Sequence, residues 1–350
     1  MPTAPVNEKG AVVYYEDTGA PEGRDDYLTL VLVHGLSFHG AVFSKMVPYA
    51  AAHNVRIVRM NLRDYPGATP FSPEELAALS SDDVTQQTAA TKAHGDETAA
   101  FLEYFVKKHI IPKIVDADGT RTGGLALVTW SMSNILAFSF LGNARWFPLE
   151  TSSFLEQYVR AVVLYDPSIS SLGLPPAEGV YSPLRDRSLS LDEGGAQFIP
   201  WVSNYFEAIP DLASATPAVL AARRTAAKAP TVARMSPAEL EALLDRGALM
   251  RSSAALFRVA RAVLHANFRR ALLDTAGVWP RVKVLLVWCD ESMHDCLWAA
   301  KTIVAFARAP REDGDVGTRR EVEVEKLAGA NHFPHWDMPE AVVQLLAAKV

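Results

Sequence analysis

Short apolar runs recur along the chain, separated by longer stretches in which apolar positions return every three or four residues. The first kind reads as buried strand and the second as amphipathic helix. Their alternation predicts a parallel sheet covered by helices. Gly10 to Glu16 reads as a first strand, Tyr27 to His34 (YLTLVLVH) as a fully buried one, and Val55 to Asn61 as the next, after a helix near Ala41 to Ala52. Ser72-Pro73-Glu74-Glu75 opens a short helix, with serine as cap and proline in the first turn. Asp83 to His109 has helical spacing and few breakers, and Pro112 and Asp116-Ala117-Asp118-Gly119 mark a loop. Leu125 to Thr129 is a strand followed at once by a helical pattern through Leu141, and Arg160 to Tyr165 is a strand ending at Asp166-Pro167.

The pattern then changes. Ser168 to Pro183 is rich in Ser, Pro and Gly, and the Ala/Arg/Leu-rich stretch that follows has helical spacing and no strand pattern. Val282 to Trp288 (VKVLLVW) restores the strand pattern, followed by a helix near Leu297 to Ala307, a strand near Glu321 to Leu327 and a last helix from Pro339. The expected organisation is one α/β core built from residues 1–180 and 277–350, interrupted by a helical cap at 181–276. Such a cap would shape a cavity and exclude water from it. Trp201, Tyr205, Phe206, Phe257, Leu264 and Phe268 are the aromatic and aliphatic residues it offers to an apolar pocket, although residues at helical spacing also serve as plain core.

Composition narrows the function. Of 350 residues, 49% are hydrophobic and 21% charged, an ordinary globular balance. A formal net charge of −6 argues against a nucleic-acid partner, which calls for a basic face. The two cysteines, Cys289 and Cys296, are too few for a disulfide framework and lack metal-ligand spacing. No apolar run reaches the length of a membrane span, and Met1 to Gly10 is polar. A cytoplasmic protein without metal or cofactor, acting on a small molecule, is expected; a homodimer stays open.

The chemistry is carried by Leu125-Ala-Leu-Val-Thr-Trp-Ser-Met-Ser-Asn134: strand, sharp turn, helix. A serine on such a turn is thrust out above the sheet edge, and the residues two before and two after it must be small. For Ser131 these are Thr129 and Ser133. For Ser133 they would be Ser131 and β-branched Ile135, which would crowd the turn. Register therefore selects Ser131 as a nucleophile, although a serine merely capping a helix would read similarly. His34-Gly35-Leu36 follows directly on a strand, and the glycine lets the next amide turn inward. The N–H groups of Leu36 and Met132 are the expected oxyanion hole. His34 itself reads as structural. In Leu327-Ala-Gly-Ala-Asn-His-Phe-Pro-His-Trp-Asp337, His332 lies nearer the strand end and is the expected base, while His335 reads as a packing or surface residue.

LVLVHG, VRIVRMNLRDYPGAT, LALVTWSMSN, AVVLYDP, VKVLLVW and GANHFPHWDMPE, in that order, resemble the α/β-hydrolase superfamily from end to end, and uncharacterised fungal-type members more than the well-studied esterases. The resemblance implies the α/β-hydrolase fold, a mostly parallel central sheet flanked by helices with an inserted helical cap. It also implies a Ser-His-acid triad. The nucleophile's flanking glycines are replaced, and Asn331 stands where a glycine often precedes the histidine. The family's usual acid position, past VKVLLVW, is Ser292, which cannot serve. Some members take the acid from the end of the preceding strand, which is Asp166 here; Asp290 and Asp295 follow as alternatives. The resemblance implies a serine hydrolase acting through an acyl-enzyme on an apolar ester, lactone or thioester. A lyase or carbon–carbon bond hydrolase with the same triad, and a non-catalytic ligand receptor, share the pattern. Aspartate-nucleophile epoxide hydrolases and dehalogenases do not.

Overall fold

The structure is a computed structural model and describes residues 2–117, 119–273, 277–310 and 319–350. Among the described residues ten strands run in chain order: β1 (Thr3–Pro5), β2 (Val12–Asp17), β3 (Leu28–Val33), β4 (Val55–Asn61), β5 (Val115–Ala117), β6 (Thr120–Thr122), β7 (Leu125–Trp130), β8 (Val159–Tyr165), β9 (Lys283–Cys289) and β10 (Val322–Leu327). Eight form one sheet in the order β1-β2-β4-β3-β7-β8-β9-β10, while β5 and β6 pair separately as an antiparallel ribbon. The pairs from β4 through β3, β7, β8 and β9 to β10 are parallel, and β1 and β2 are antiparallel.

Burial explains the order. Every residue of β3, β7 and β8 is buried, as a strand covered on both faces must be. Side chains alternate between two cores. In β3, Val31 and Val33 join one core with Phe101 and Phe105, while Leu28, Leu30 and Leu32 join the other with Phe43, Val342 and Leu346. The edge strand β10 (VEVEKL) carries charge along its length, which discourages pairing with another chain.

The long helix Val84–His109 (α2) and the helix Asn134–Asn143 (α3) cover the first face; the helix Pro339–Lys349 lies on the second. Ser72 and Glu75 close a reciprocal capping box at Pro73–Leu79, as its sequence foretells. The helix expected near Ala41 to Ala52 is instead a 3₁₀ run, Gly40–Tyr49. Pro48 lies near its end and donates no N–H to the ladder.

Residues 181–276 contain helices and, among the described residues, no strand, only isolated bridges Phe38↔Leu244 and Phe206↔Thr225. Helix Arg261–Leu273, at the end of this segment, packs on α3. Phe268 is fully buried there, its ring 5.2 Å from Phe138 and 4.7 Å from Phe306. No helix among the described residues is long and apolar enough to cross a membrane.

Candidate active site

The site lies at the C-terminal ends of β7 and β8. Trp130 pairs with Tyr165 in the parallel register, so the next residues, Ser131 and Asp166, leave adjacent strands side by side. Both take left-handed backbone, at φ 62° and 42°. For non-glycine residues that conformation costs about 1–2 kcal/mol, and it persists only where the surroundings over-determine it. The surroundings here are hydrogen bonds. Ser168 N–H donates to Ser131 O (3.4 Å), Asp166 N–H to Val287 O (2.8 Å), and Asn134 Nδ2 to both Thr129 O (3.0 Å) and Ser131 O (2.8 Å).

The two replaced glycines belong to the same network. Thr129 Oγ1 donates to Asn134 Oδ1 (3.0 Å), and Ser133 Oγ donates to Trp130 O (2.8 Å). Ser131 is 7% exposed, yet it lines a cavity of about 490 Å³.

Gly35 passes directly over the turn. A Cβ there would stand 3.0 Å from Ser131 Cβ and 3.2 Å from the Trp130 ring, closer than ordinary packing, so glycine eases the approach. His34 fixes the loop from below. Its Nε2 accepts Leu62 N–H at 3.1 Å, which leaves Nδ1 as the protonated nitrogen, donating to Gly35 O at 2.9 Å. Full burial depresses its pKa to about 3, so it stays neutral and structural. The next residue, Leu36, has no hydrogen-bond acceptor for its N–H among the described residues. Met132 sits in the first turn of the run Ser131–Ser133, where amides lack acceptors within the helix. Leu36 and Met132 line the same cavity as Ser131.

His332 arrives from the loop after β10. Its Nδ1 is 2.6 Å from Asp166 Oδ2, and both side chains are 1% exposed. Trp130 anchors this loop, its Nε1 donating to His332 O at 3.0 Å and its ring lying 4.8 Å from the imidazole. Asn331 explains its own presence. It donates to Ser203 O (2.7 Å) and Thr231 Oγ1 (2.8 Å) and accepts Phe333 N–H (2.8 Å), tying the histidine loop to the inserted helices. His335 is fully buried against Trp130 and Phe43, and burial pushes its pKa well down.

Of the acids open from sequence, Asp166 alone meets His332. Asp290 Oδ1 accepts Gly329 N–H (2.7 Å), and Asp295 pairs with Arg185 (2.5 Å). Ser292 has a part that sequence reasoning missed: its Oγ donates to Asp166 Oδ2 at 2.5 Å. Its place at the family's usual acid position was the available signal. Cys296 Sγ lies 3.3 Å from Asp166 O and 3.6 Å from His332 Nδ1. Asp166, Cys296 and His332 offer metal-type ligand atoms within 4.8 Å of one another. Burial and the Asp166 charge keep the thiol protonated, and Asp166 Oδ2 already faces two partners, so the trio suits a hydrogen-bond network better than a metal.

Of the six residues offered to the apolar pocket, only Phe257 and Leu264 line the 490 Å³ cavity. Trp201 and Phe206 pack on the sheet, Tyr205 donates to Asp337 (2.6 Å), and Phe268 is core. Helical spacing shows which side is buried, not whether a cavity or a neighbour lies there.

A sequence profile described as the alpha/beta hydrolase family matches residues 30–345. The chain belongs to the alpha/beta hydrolase family. It is a hydrolase enzyme of that fold. Among solved structures it is similar to a thermophilic esterase from Thermogutta terrifontis, at 16% identity over 99% of this chain and 96% of that one, with a TM-score of 0.51. It is also similar to Cfl2 from Burkholderia cenocepacia, at 16% identity over 99% and 94%, with a TM-score of 0.56. Likeness at this identity speaks to the fold. No curated protein sequence matches this hydrolase.

Two outcomes follow from the strain and the buried imidazoles. Glycine ordinarily costs about 0.5–1 kcal/mol relative to alanine. At position 131 the relief of left-handed strain offsets this, so Ser131→Gly is expected to be at least as stable as Ser131→Ala in urea melts; a glycine deficit of about 1 kcal/mol would contradict the strain. Buried His34, His94 and His294 have pKa values lowered to about 3, 4 and 4. As pH falls below about 6.5 the unfolded chain takes up protons that the folded chain refuses. Stability is therefore full above that pH and falls toward pH 4 by about 1.4 kcal/mol per pH unit for each histidine. Urea midpoints at pH 7, 6 and 5 check this, and a flat series refutes it.

Proposed function

We propose that this hydrolase cleaves a small, largely apolar ester, lactone or thioester through an acyl-enzyme, with Ser131 as nucleophile, His332 as general base and Asp166 as the acid that orients it. The observation that carries the reading is the 2.6 Å contact between His332 Nδ1 and Asp166 Oδ2, made beside a serine held left-handed at the next strand end. A buried carboxylate on Nδ1 fixes the tautomer whose Nε2 is a free base, and it stabilises the imidazolium that forms later.

In this mechanism His332 Nε2 takes the proton of Ser131 as Oγ attacks the carbonyl carbon. The N–H groups of Leu36 and Met132 hold the developing oxyanion. The protonated imidazole then gives its proton to the leaving oxygen or sulfur, and the acyl group stays on Ser131. Water, activated by the same imidazole, releases the acid. The substrate class is supported by the cavity, whose wall combines Leu174, Leu184, Phe198 and Leu264 with Arg185 and the hydroxyls of Ser168 and Ser170. Two buried free cysteines suit a reducing compartment, which supports a cytoplasmic site of action.

A fluorophosphonate probe should label the native enzyme and leave Ser131→Ala unlabelled and inactive on 4-nitrophenyl esters. Asp166→Asn should lower kcat by up to about 10⁴-fold, the scale set by loss of a triad carboxylate. Asp290→Asn and Asp295→Asn should act far more weakly. Equal labelling of Ser131→Ala, or a larger loss at Asp290 or Asp295 than at Asp166, would overturn the assignment.

A further inference from the structure

We propose that the acyl group of the substrate occupies a second, inner lobe of the site, and that His94 in its wall selects short acyl chains bearing an uncharged hydroxyl or carbonyl. This rests on the ester-hydrolase reading above and assigns the part of the substrate on each side of the scissile bond.

Leu36, Met132 and Leu256 line both of two neighbouring cavities. The outer one holds Ser131, and its wall includes exposed Phe257, Arg258 and Arg261, so it opens to solvent. The inner one measures about 80 Å³, and none of its lining residues is exposed. Met132 and Ser133 from the turn, and Ile135 and Leu136 from the first turn of α3, line it. The volume is that of roughly six water-sized spheres, enough for a short chain. In an acyl-enzyme the leaving group must depart while the acyl group remains bound. The cavity with exposed residues in its wall suits the group that leaves, and the one lined by buried and half-buried residues suits the group that stays.

Most of the inner wall is apolar, with Val13, Met60, Ile135 and Leu136 among its residues. The α2 side differs. His94 is 7% exposed, and its Nδ1 is buried without a hydrogen-bond partner. Burial, reinforced by the Arg63 charge, holds its pKa near 4, so the ring is neutral at pH 7. An unmet polar group at such depth is costly, and a substrate hydroxyl or carbonyl can relieve that cost.

A charged acyl tail does not fit. Arg63 is the cation in this wall, and it is already engaged by Glu75 (2.7 Å), Glu97 (2.9 Å) and the carbonyls of Thr69 and Pro70. An added carboxylate would meet Glu97 without a free cation.

The test compares 4-nitrophenyl pentanoate with 4-nitrophenyl 4-oxopentanoate, each kcat/KM divided by the ester's uncatalysed hydrolysis rate. The wild-type enzyme should favour the oxo ester by about tenfold, the size of one hydrogen bond to a buried group. His94→Leu should bring the ratio to about one, and His94→Gln, which keeps a hydrogen-bonding side chain, should retain part of the preference. A wild-type ratio near one, or an unchanged ratio in His94→Leu, overturns the inference. The wild-type ratio decides alone if the leucine variant does not fold. Failure of the underlying reading looks different: neither ester turns over, the probe leaves Ser131 unlabelled, and the inference falls with it.

Discussion

Ser131 and Asp166 are held in left-handed backbone at the ends of neighbouring parallel strands, and the rest of the site is arranged around that constraint. Strand register puts the two residues side by side. The conformation turns the chain sharply at each of them, so that Ser131 faces a cavity while the Asp166 carboxylate is delivered to His332. Gly35 can then lie against Ser131 Cβ, and Leu36, which follows it, lines the same cavity as Ser131. Side chains that elsewhere would be glycine, at 129 and 133, are recruited to hydrogen-bond the turn they flank.

The Asp166 carboxylate is shared rather than isolated. Asp166 Oδ2 faces both His332 Nδ1 and Ser292 Oγ, and among the described residues Oδ1 accepts only the Cys289 amide, at 3.3 Å. Ser292 thus donates to a carboxylate at the position where many relatives carry the carboxylate itself. The histidine loop is tied from the other side. Asn331 reaches Ser203 and Thr231, while Asp337 accepts from Tyr205 and Thr231 and pairs with Arg234. Residues of the 181–276 segment therefore help to hold the loop that carries His332.

Much of this was legible from the chain. Runs such as LTLVLV and LALVTW have a single physical reading, since a strand buried on both faces has no polar side to show, and Val55–Asn61 falls where its pattern puts it. The turn at Ser131 was legible because one register places small residues on both sides and the other places Ile135. What escaped was short or non-local. Strand β1 has three residues, the β5–β6 ribbon lies where turn residues suggested only a loop, and the run Gly40–Tyr49 is 3₁₀ where the spacing suggested an α-helix. The acid could not be chosen from spacing, because Asp166, Asp290 and Asp295 are all near strand ends and only the closed structure shows which one meets the imidazole. Pocket-lining residues were the least legible, as Phe268 and Phe257 sit on similar helical patterns, one fully buried and the other 46% exposed.

A crystal structure of the enzyme inactivated by an alkyl phosphonate ester tests the central claim most directly. The account predicts phosphorus bonded to Ser131 Oγ, its phosphoryl oxygen within hydrogen-bond distance of the Leu36 and Met132 amides, and His332 still joined to Asp166. Phosphorus on another residue, or a phosphoryl oxygen turned away from both amides, would contradict it.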